Sequence, residues 1–566
     1  MLSPIATTAH ADVETALEER WPGEWRRLRK PELTALAQSF AFSAAWRLDV
    51  PSEVLARPSV DHLYLAVDDV FPLSDIRVFA PQSLGTLGNR WPHIESAGLM
   101  CLVRRPLHLE ISRRVELAVS DAINALCFDE EKRNEEFRRE AVSYWTHEST
   151  TKQRALALFA PGGQSRPIVY GLHQGTLVFA ESSDQLLSWL RNAGQKKPED
   201  PLWAWFQMLD EPLTPAQYPI DGHDIFAMVD RSSIVPLLKP PNVCPILLGM
   251  STPTGPIFTG VLLRCPAKKS ILRGFRNIDR LPEKHVVACY SGQKIDRFNV
   301  QRADRSWVHG RDHNPSGDRL SNKTVALIGC GALGSELARL LAQAGVGHFI
   351  LSDHDPLASH NTSRHLLGSA DVGKNKALAL GERIKKDFPH IGSVEIMGKK
   401  WENLSPEQSS LVDSADLLIT AGLSLATDLR IDRRRESKKS EQKWLVAWTE
   451  EFALAGHAVL ITNDARLHSL FDTKGAPKLR MTLDWPPAVG THIEAGCGNE
   501  FQPYGATDLH STVGLAARLA LDTLLDKCLT PIYRVWLGDR SRAIELGATV
   551  SAEFDASMTE RIMPWP

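Results

Sequence analysis

Cysteine is scarce in this 566-residue chain, and none of its eight cysteines forms a C-x-x-C pair. Cys101, Cys127, Cys244, Cys265, Cys289, Cys330, Cys497 and Cys528 are widely spread. That spacing argues against a structural zinc site. It fits the reducing cytoplasm, where the useful question is which thiols react. No apolar run reaches the roughly 18 residues of a membrane span, so no membrane partner is expected. The stretch Met1–Asp12 lacks the basic-then-apolar pattern of a secretory signal. Charge of one sign is not in excess either. The formal net charge is -3, which provides no global basic field for nucleic acid. Internal repeats and low-complexity tracts are lacking.

What is there is ordinary for a globular protein: 43% hydrophobic and 23% charged residues. The length predicts about three domains. Residues 1–150 read as an α+β domain. Helical patterns at Val13–Arg29 and Glu32–Arg47 precede strands at Leu63–Val67 and Ile76–Phe79. Leu99–Val103 then reads as a further apolar run, and Leu109–Cys127 as an amphipathic helix. Residues 151–318 read as a strand-rich domain, with runs at Ala155–Phe159, Ile168–Leu172, Thr176–Ala180, Ile257–Leu263 and Val286–Cys289. The polar stretch Arg305–Arg319 reads as a linker or arm. Residues 319–566 read as an α/β, doubly wound domain. There, strand Thr324–Ile328, a glycine turn, helix Ser335–Ala344 and strand His348–Ser352 form a β-α-β unit. Ala415–Thr420 and Trp444–Trp448 predict further parallel strands, and Ser511–Leu525 a helix.

Gly329-Cys330-Gly331-Ala332-Leu333-Gly334 fits G-x-G-x-x-G between strand and helix. Glycines there let backbone N–H groups approach phosphate oxygens at the helix N-terminus. Asp353, about 20 residues further, suits a carboxylate that binds ribose hydroxyls. To this point a dinucleotide dehydrogenase fits equally well. The residues that follow separate the two readings. Asp353-x-Asp355, Asn361-x-x-Arg364 and Gly373-x-x-Lys376 form an ordered polar set. Phosphoryl chemistry needs such Arg and Lys groups for the charge that builds on a cleaved triphosphate, and a dinucleotide fold does not.

Lys323–Lys376 resembles the adenylation core of the ThiF, MoeB and ubiquitin-activating (E1) enzymes, with these four signatures in order. The resemblance implies ATP as cofactor. It assigns the glycine turn (Gly329, Gly331, Gly334) to the nucleotide, Asp353 to the ribose with Asp355 beside it, and Asn361, Arg364 and Lys376 to the phosphates. It also implies Mg²⁺, but no carboxylate stands at the family's usual metal position. Asp416 leads the strand Asp416–Thr420, and the metal ligand is unassigned. Such domains pair, which predicts a homodimer, with Arg311 a candidate for the arginine given to the neighbouring site.

Two cysteines have settings suited to exchange chemistry. Cys497 lies in Gly496-Cys497-Gly498, on a loop of small residues, where E1-like enzymes carry a thioester cysteine. Cys101 follows Trp91-Pro92-His93 and lies in Gly98-Leu99-Met100-Cys101-Leu102. This resembles the active-site segment of ubiquitin-conjugating (E2) enzymes, with Pro-His in place of His-Pro and no following Asn. His93 could shape the site, tune the thiol or fill a turn. The whole order resembles the bacterial E1–E2 fusion proteins of CBASS antiphage operons. That resemblance implies activation of a protein C-terminus, that of a cGAS-like nucleotidyltransferase or of a ubiquitin-like protein, in antiviral defence. The acyl group would pass from Cys497 to Cys101 and then to a target amine. Two alternatives stay open: a sulfur-carrier adenylyltransferase of the ThiF or MoeB kind, and a nucleotide-binding scaffold without catalysis.

Overall fold

The structure, a computed structural model, describes the chain except residues 1–3, 37–41, 51–59, 86–89, 96, 104–105, 240–242, 277–279, 464, 487–488, 490–491, 494–499, 502, 555–558, 564 and 566. Two compact units emerge. The first comprises Met1–Ala157, Pro161–Glu181 and Leu202–Arg302; the second comprises Leu158–Ala160, Ser182–Pro201 and Ala303–Pro566.

In the first unit, β1 (Trp25–Arg27), β2 (Ala44–Asp49), β3 (His62–Val67) and β4 (Arg77–Phe79) form an antiparallel sheet in chain order. Side chains alternate across it. Trp46 and Leu48 join Val13, Leu17, Val115 and Val119 of helices Pro4–Arg20 and Ile111–Leu126, while Ala45 and Phe79 pack on the other face. This alternation corrects the helix expected over Glu32–Arg47. That helix ends at Leu36, and Ala44–Arg47 is strand because its period is two. The helix expected over Val13–Arg29 likewise ends at Arg20. Gly23, at φ +76°, turns the chain into β1.

The same unit carries an eight-stranded sheet of β5 (Arg154–Ala157), β6 (Arg166–His173), β7 (Thr176–Ala180), β8 (Leu202–Met208), β9 (Cys244–Thr252), β10 (Gly255–Leu263), β11 (Ile295–Asn299) and β12 (Gln301–Arg302). Their order is β11-β10-β9-β8-β6-β7-β5-β12. The expected strand Val286–Cys289 lies instead within the helix Glu283–Ser291. Val286 and Tyr290 are four residues apart, one helical turn, and both are buried in this sheet's core. Helix Ala141–His147 is tied to the sheet through Trp145, whose indole N–H donates to the Phe298 carbonyl at 3.0 Å.

The second unit contains β13 (Thr324–Ile328), β14 (His348–Ser352), β15 (Ser393–Met397), β16 (Leu417–Ala421), β17 (Lys443–Thr449), β18 (Ala455–Ile461), β19 (Thr482–Asp484), β20 (His492–Ile493), β21 (Glu500–Phe501), β22 (Ile532–Leu537), β23 (Thr549–Val550) and β24 (Glu560–Met563). The main sheet runs β15-β14-β13-β16-β17-β18-β22-β24. Its first five strands are parallel and the rest antiparallel. Helices Ala332–Gln343, Lys376–Asp387 and Ala506–Leu524 bury their apolar faces on one side, and Leu425–Lys438 contributes Ile431 to the other. This is the expected doubly wound α/β sheet. Strand order reverses between β13 and β16, which opens a crevice at their carboxyl ends. The expected arm Arg305–Arg319 instead contains two short helices, Arg305–Val308 and Ser316–Ser321. No described helix is long and apolar enough to cross a membrane.

Candidate active site

The crevice holds a cavity of about 340 Å³ lined by Gly329, Gly331, Asp353, Asp355 and Lys376, among others. Its floor is the glycine turn, and each glycine there has its own reason. Gly329 has φ +92°, and a Cβ on it would lie 2.6 Å from the Ala421 carbonyl oxygen. A Cβ on Gly334 would lie 1.9 Å from the Gly329 carbonyl oxygen. Gly331 meets nothing within 4 Å, so it leaves the N-terminus of helix Ala332–Gln343 bare toward the cavity. Backbone N–H groups and the helix dipole there favour an anion.

Asp353 leaves the tip of β14, and its carboxylate accepts the Cys330 N–H at 2.7 Å and the Asp355 N–H at 2.9 Å. Lys376 starts the next helix, with its Nζ 3.2 Å from the Asp355 carboxylate. The ligand atoms of Asp353, His354 and Asp355 lie within 4.8 Å of one another. Two carboxylates supply the hard oxygens that Mg²⁺ prefers. Asp416, by contrast, binds Lys323 and the Thr324 N–H at the start of β13, the opposite end of the strand.

Asn361 and Arg364 are not among the cavity's lining residues. The Asn361 side chain accepts the Ala358 N–H at 3.1 Å and closes its own turn. The Arg364 guanidinium stacks 5.0 Å over the Tyr504 ring. Their loop is fixed by His365, a residue the sequence reading missed. His365 is buried, its Nε2 bonds the Cys330 carbonyl at 2.7 Å, and its Nδ1 accepts the Leu367 N–H. Burial lowers its pKa, so it serves as a neutral brace. Also missed were Lys399, Lys400, Trp401 and Arg430, which line the cavity. The rule that ligands bind beyond the carboxyl ends of parallel strands would have pointed to Lys399-Lys400-Trp401, just past β15.

In the first unit, Cys101 is exposed beside a cavity of about 660 Å³. Its segment is held against β4. Met100 N–H donates to the Val78 carbonyl, and Cys101 N–H to the His93 carbonyl at 2.7 Å. The Cys101 Sγ lies 3.4 Å from the Glu95 carboxylate, which sequence reasoning also missed. The residue is exposed but its sulfur is partly covered, and that desolvation, and then this carboxylate, push the thiol up to about 11. His93 fills the turn at φ +61°. Its ring lies 3.3 Å from Glu136 and 3.5 Å from Glu140, and its backbone N–H donates to the Tyr144 hydroxyl. Cys497 lies outside the described residues. Cys330 is buried under the glycine turn, and burial raises its thiol pKa.

Comparison with known proteins finds relatives for part of the chain. The chain is 27% identical over 238 residues to the ATP-dependent ubiquitin transferase-like protein Cap2 of Vibrio cholerae, covering 40% of each protein. It is 26% identical to the Cap2 protein of Pseudomonas aeruginosa, covering 49% of this chain and 48% of that one. It is 35% identical to the Cap2 protein of Escherichia coli, covering 47% and 46%. The chain thus spans about half or less of the length of these relatives. Residues 310–495 match the model of the ThiF family, so the second unit carries a ThiF family domain.

Proposed function

We propose that this protein activates the C-terminal carboxylate of a protein with ATP and passes it, as a thioester, toward an amine. The observation that carries the reading is the switch-point cavity. There the bare N-terminus of helix Ala332–Gln343, Asp353 and Lys376 converge within a ThiF family domain. ATP would lie with its phosphates on the Gly329–Gly334 turn and its ribose on Asp353. The carboxylate oxygen attacks the α-phosphorus, an acyl-adenylate forms, and pyrophosphate leaves. Lys376 stabilises the charge on the phosphates, and Arg364 would leave the Tyr504 ring to join it. Mg²⁺ would be held by the Asp355 carboxylate, beside the ribose-binding Asp353, where it would neutralise phosphate charge.

Cys497 then takes the acyl group and AMP leaves. Cys101, in an E2-like first domain over residues 1–150, takes it from Cys497, and residues 151–318 link the two ends. The Cap2 names of the relatives support a ubiquitin-like substrate path. The partner we propose is the C-terminus of a cGAS-like nucleotidyltransferase or a ubiquitin-like protein. We also propose a homodimer in which the exposed Arg311 serves the neighbouring site. The test is non-reducing electrophoresis with ATP and the partner. Cys497→Ala should still exchange pyrophosphate and form no thioester. Cys101→Ala should stall with the acyl group on Cys497. Wild-type conjugation by Cys101→Ala would instead make the first domain a scaffold and the E2-like assignment wrong.

A further inference from the structure

Cys101 has a proton to lose before it can attack a carbonyl carbon. Its environment holds that proton on sulfur. Glu95, in the same turn, touches it, and Glu140, which precedes helix Ala141–His147, adds negative charge. Tyr144 of that helix stands nearby, with its own pKa raised by burial. Across the cavity stand Asp75, Arg77 at the start of β4, and Arg114. Arg114 of helix Ile111–Leu126 spends its guanidinium on the Pro72 and Ser74 carbonyls. His93, an imidazole eight residues before Cys101, directs its ring at Glu136 and Glu140. Among the described residues, the basic oxygen bonded to the sulfur is that of Glu95.

We propose that Glu95 is a catalytic residue, the proton acceptor for Cys101 as its sulfur attacks an incoming thioester. The step rests on the acyl-acceptor reading of Cys101 above. The Cys101 S–H bond breaks and its proton moves to the Glu95 carboxylate. A Cys101 S–C bond forms at the carbonyl carbon, and the donor's C–S bond breaks. The Glu95 carboxylic acid returns the proton to the departing sulfur. One thioester replaces another, and Glu95 ends ionised. Burial of the sulfur, and after it the same carboxylate, keep the resting thiol protonated, so reactivity is confined to the moment a carbonyl is presented. This gives Glu95 two opposed effects on one sulfur, a signature that a merely structural residue lacks.

The experiment compares the full-length protein with Glu95→Gln and Glu95→Asp, with Cys101→Ala as the blank. Alkylation of Cys101 by iodoacetamide is followed against pH. Acyl transfer is followed from a glycyl thioester of 2-mercaptoethanesulfonate. Both are read at Cys101 by peptide mass mapping. Glu95→Gln should alkylate about tenfold faster at pH 8, as expected for a thiol pKa about one unit lower. It should accept acyl about 100-fold more slowly. Glu95→Asp should keep slow alkylation and recover part of the transfer. If Glu95→Gln leaves both rates unchanged, or slows both, the proposal is overturned. A wild-type Cys101 that alkylates yet takes no acyl overturns the acceptor reading and this step with it. A wild type that is acylated, with Glu95→Gln acylated equally fast, overturns this step alone.

Discussion

The Asp353 carboxylate accepts the Cys330 backbone N–H at 2.7 Å and so latches the tip of the second parallel strand to the glycine turn before any ligand arrives. A group that both shapes the turn and faces the cavity should be intolerant of isosteric change. Asparagine would present an N–H₂ to one of the two N–H groups that Asp353 now satisfies. We expect Asp353→Asn to weaken ATP binding by about 5- to 150-fold, from about 1–3 kcal/mol of lost or mismatched hydrogen bonding. Fluorescence titration with an ATP analogue measures it.

Two glycines of the turn should separate folding from binding. Gly334→Ala puts a Cβ 1.9 Å from a backbone oxygen, which no side chain can yield to relieve. It should destabilise the second unit by about 2–4 kcal/mol. Gly331 has φ -73°, and its Cβ would meet nothing. Gly331→Ala should melt with the wild type and yet bind ATP poorly, because the methyl group would occupy the phosphate approach. Thermal melts paired with binding titrations distinguish the two.

Much of the second unit was legible because buried parallel strands and helix-opening glycines leave strong local patterns. Thr324–Ile328, the glycine turn and Asp353 needed no tertiary information. The first unit was harder to read. In Ala44–Asp49 the alternation is hidden by alanines, which suit helix and strand alike, and Val286–Cys289 is an apolar run too short to show its period. Glu95 and His365 left no sequence signal, because each matters through one contact fixed by a turn. Lys399 and Lys400 resembled ordinary surface charges until the strand order put them at the crevice. Asn361 and Arg364 occupy the expected loop, but local bonds hold both side chains outside the cavity lining.

Glu450 gives the second unit a pH-dependent anchor. This buried carboxylate accepts from His457 at 3.0 Å, from the Met481 and Thr482 N–H groups, and from the Thr482 hydroxyl. Burial opposes its charge, but the bonds from His457 and Thr482 prevail and lower its pKa. A lowered carboxyl pKa stabilises the fold above the ordinary value of 4.5 and is lost as pH falls through the folded value. Glu450→Ala, which strands several buried donors, should cost about 3–5 kcal/mol at pH 7. The deficit should shrink in denaturant melts taken below pH 4.5.

Asp428 behaves in the opposite sense. It is buried, one of its carboxylate oxygens has no hydrogen-bond partner among the described residues, and desolvation raises its pKa to about 7. A raised carboxyl pKa means its contribution to stability falls as pH climbs from 3.8 to about 7. Above that range the fold holds a buried charge. Asp428→Asn should therefore raise the melting temperature by roughly 2–6 °C at pH 8, with the gain fading toward pH 4. Calorimetric melts across that range check the sign.

The central claim is that the cavity over the glycine turn takes ATP. Isothermal titration calorimetry of the wild type and Lys376→Ala, with ATP·Mg²⁺ and with NAD, tests it without any partner protein. We predict saturable ATP binding to the wild type, at least tenfold weaker binding to Lys376→Ala, and no heat with NAD. NAD binding without ATP binding would contradict the account.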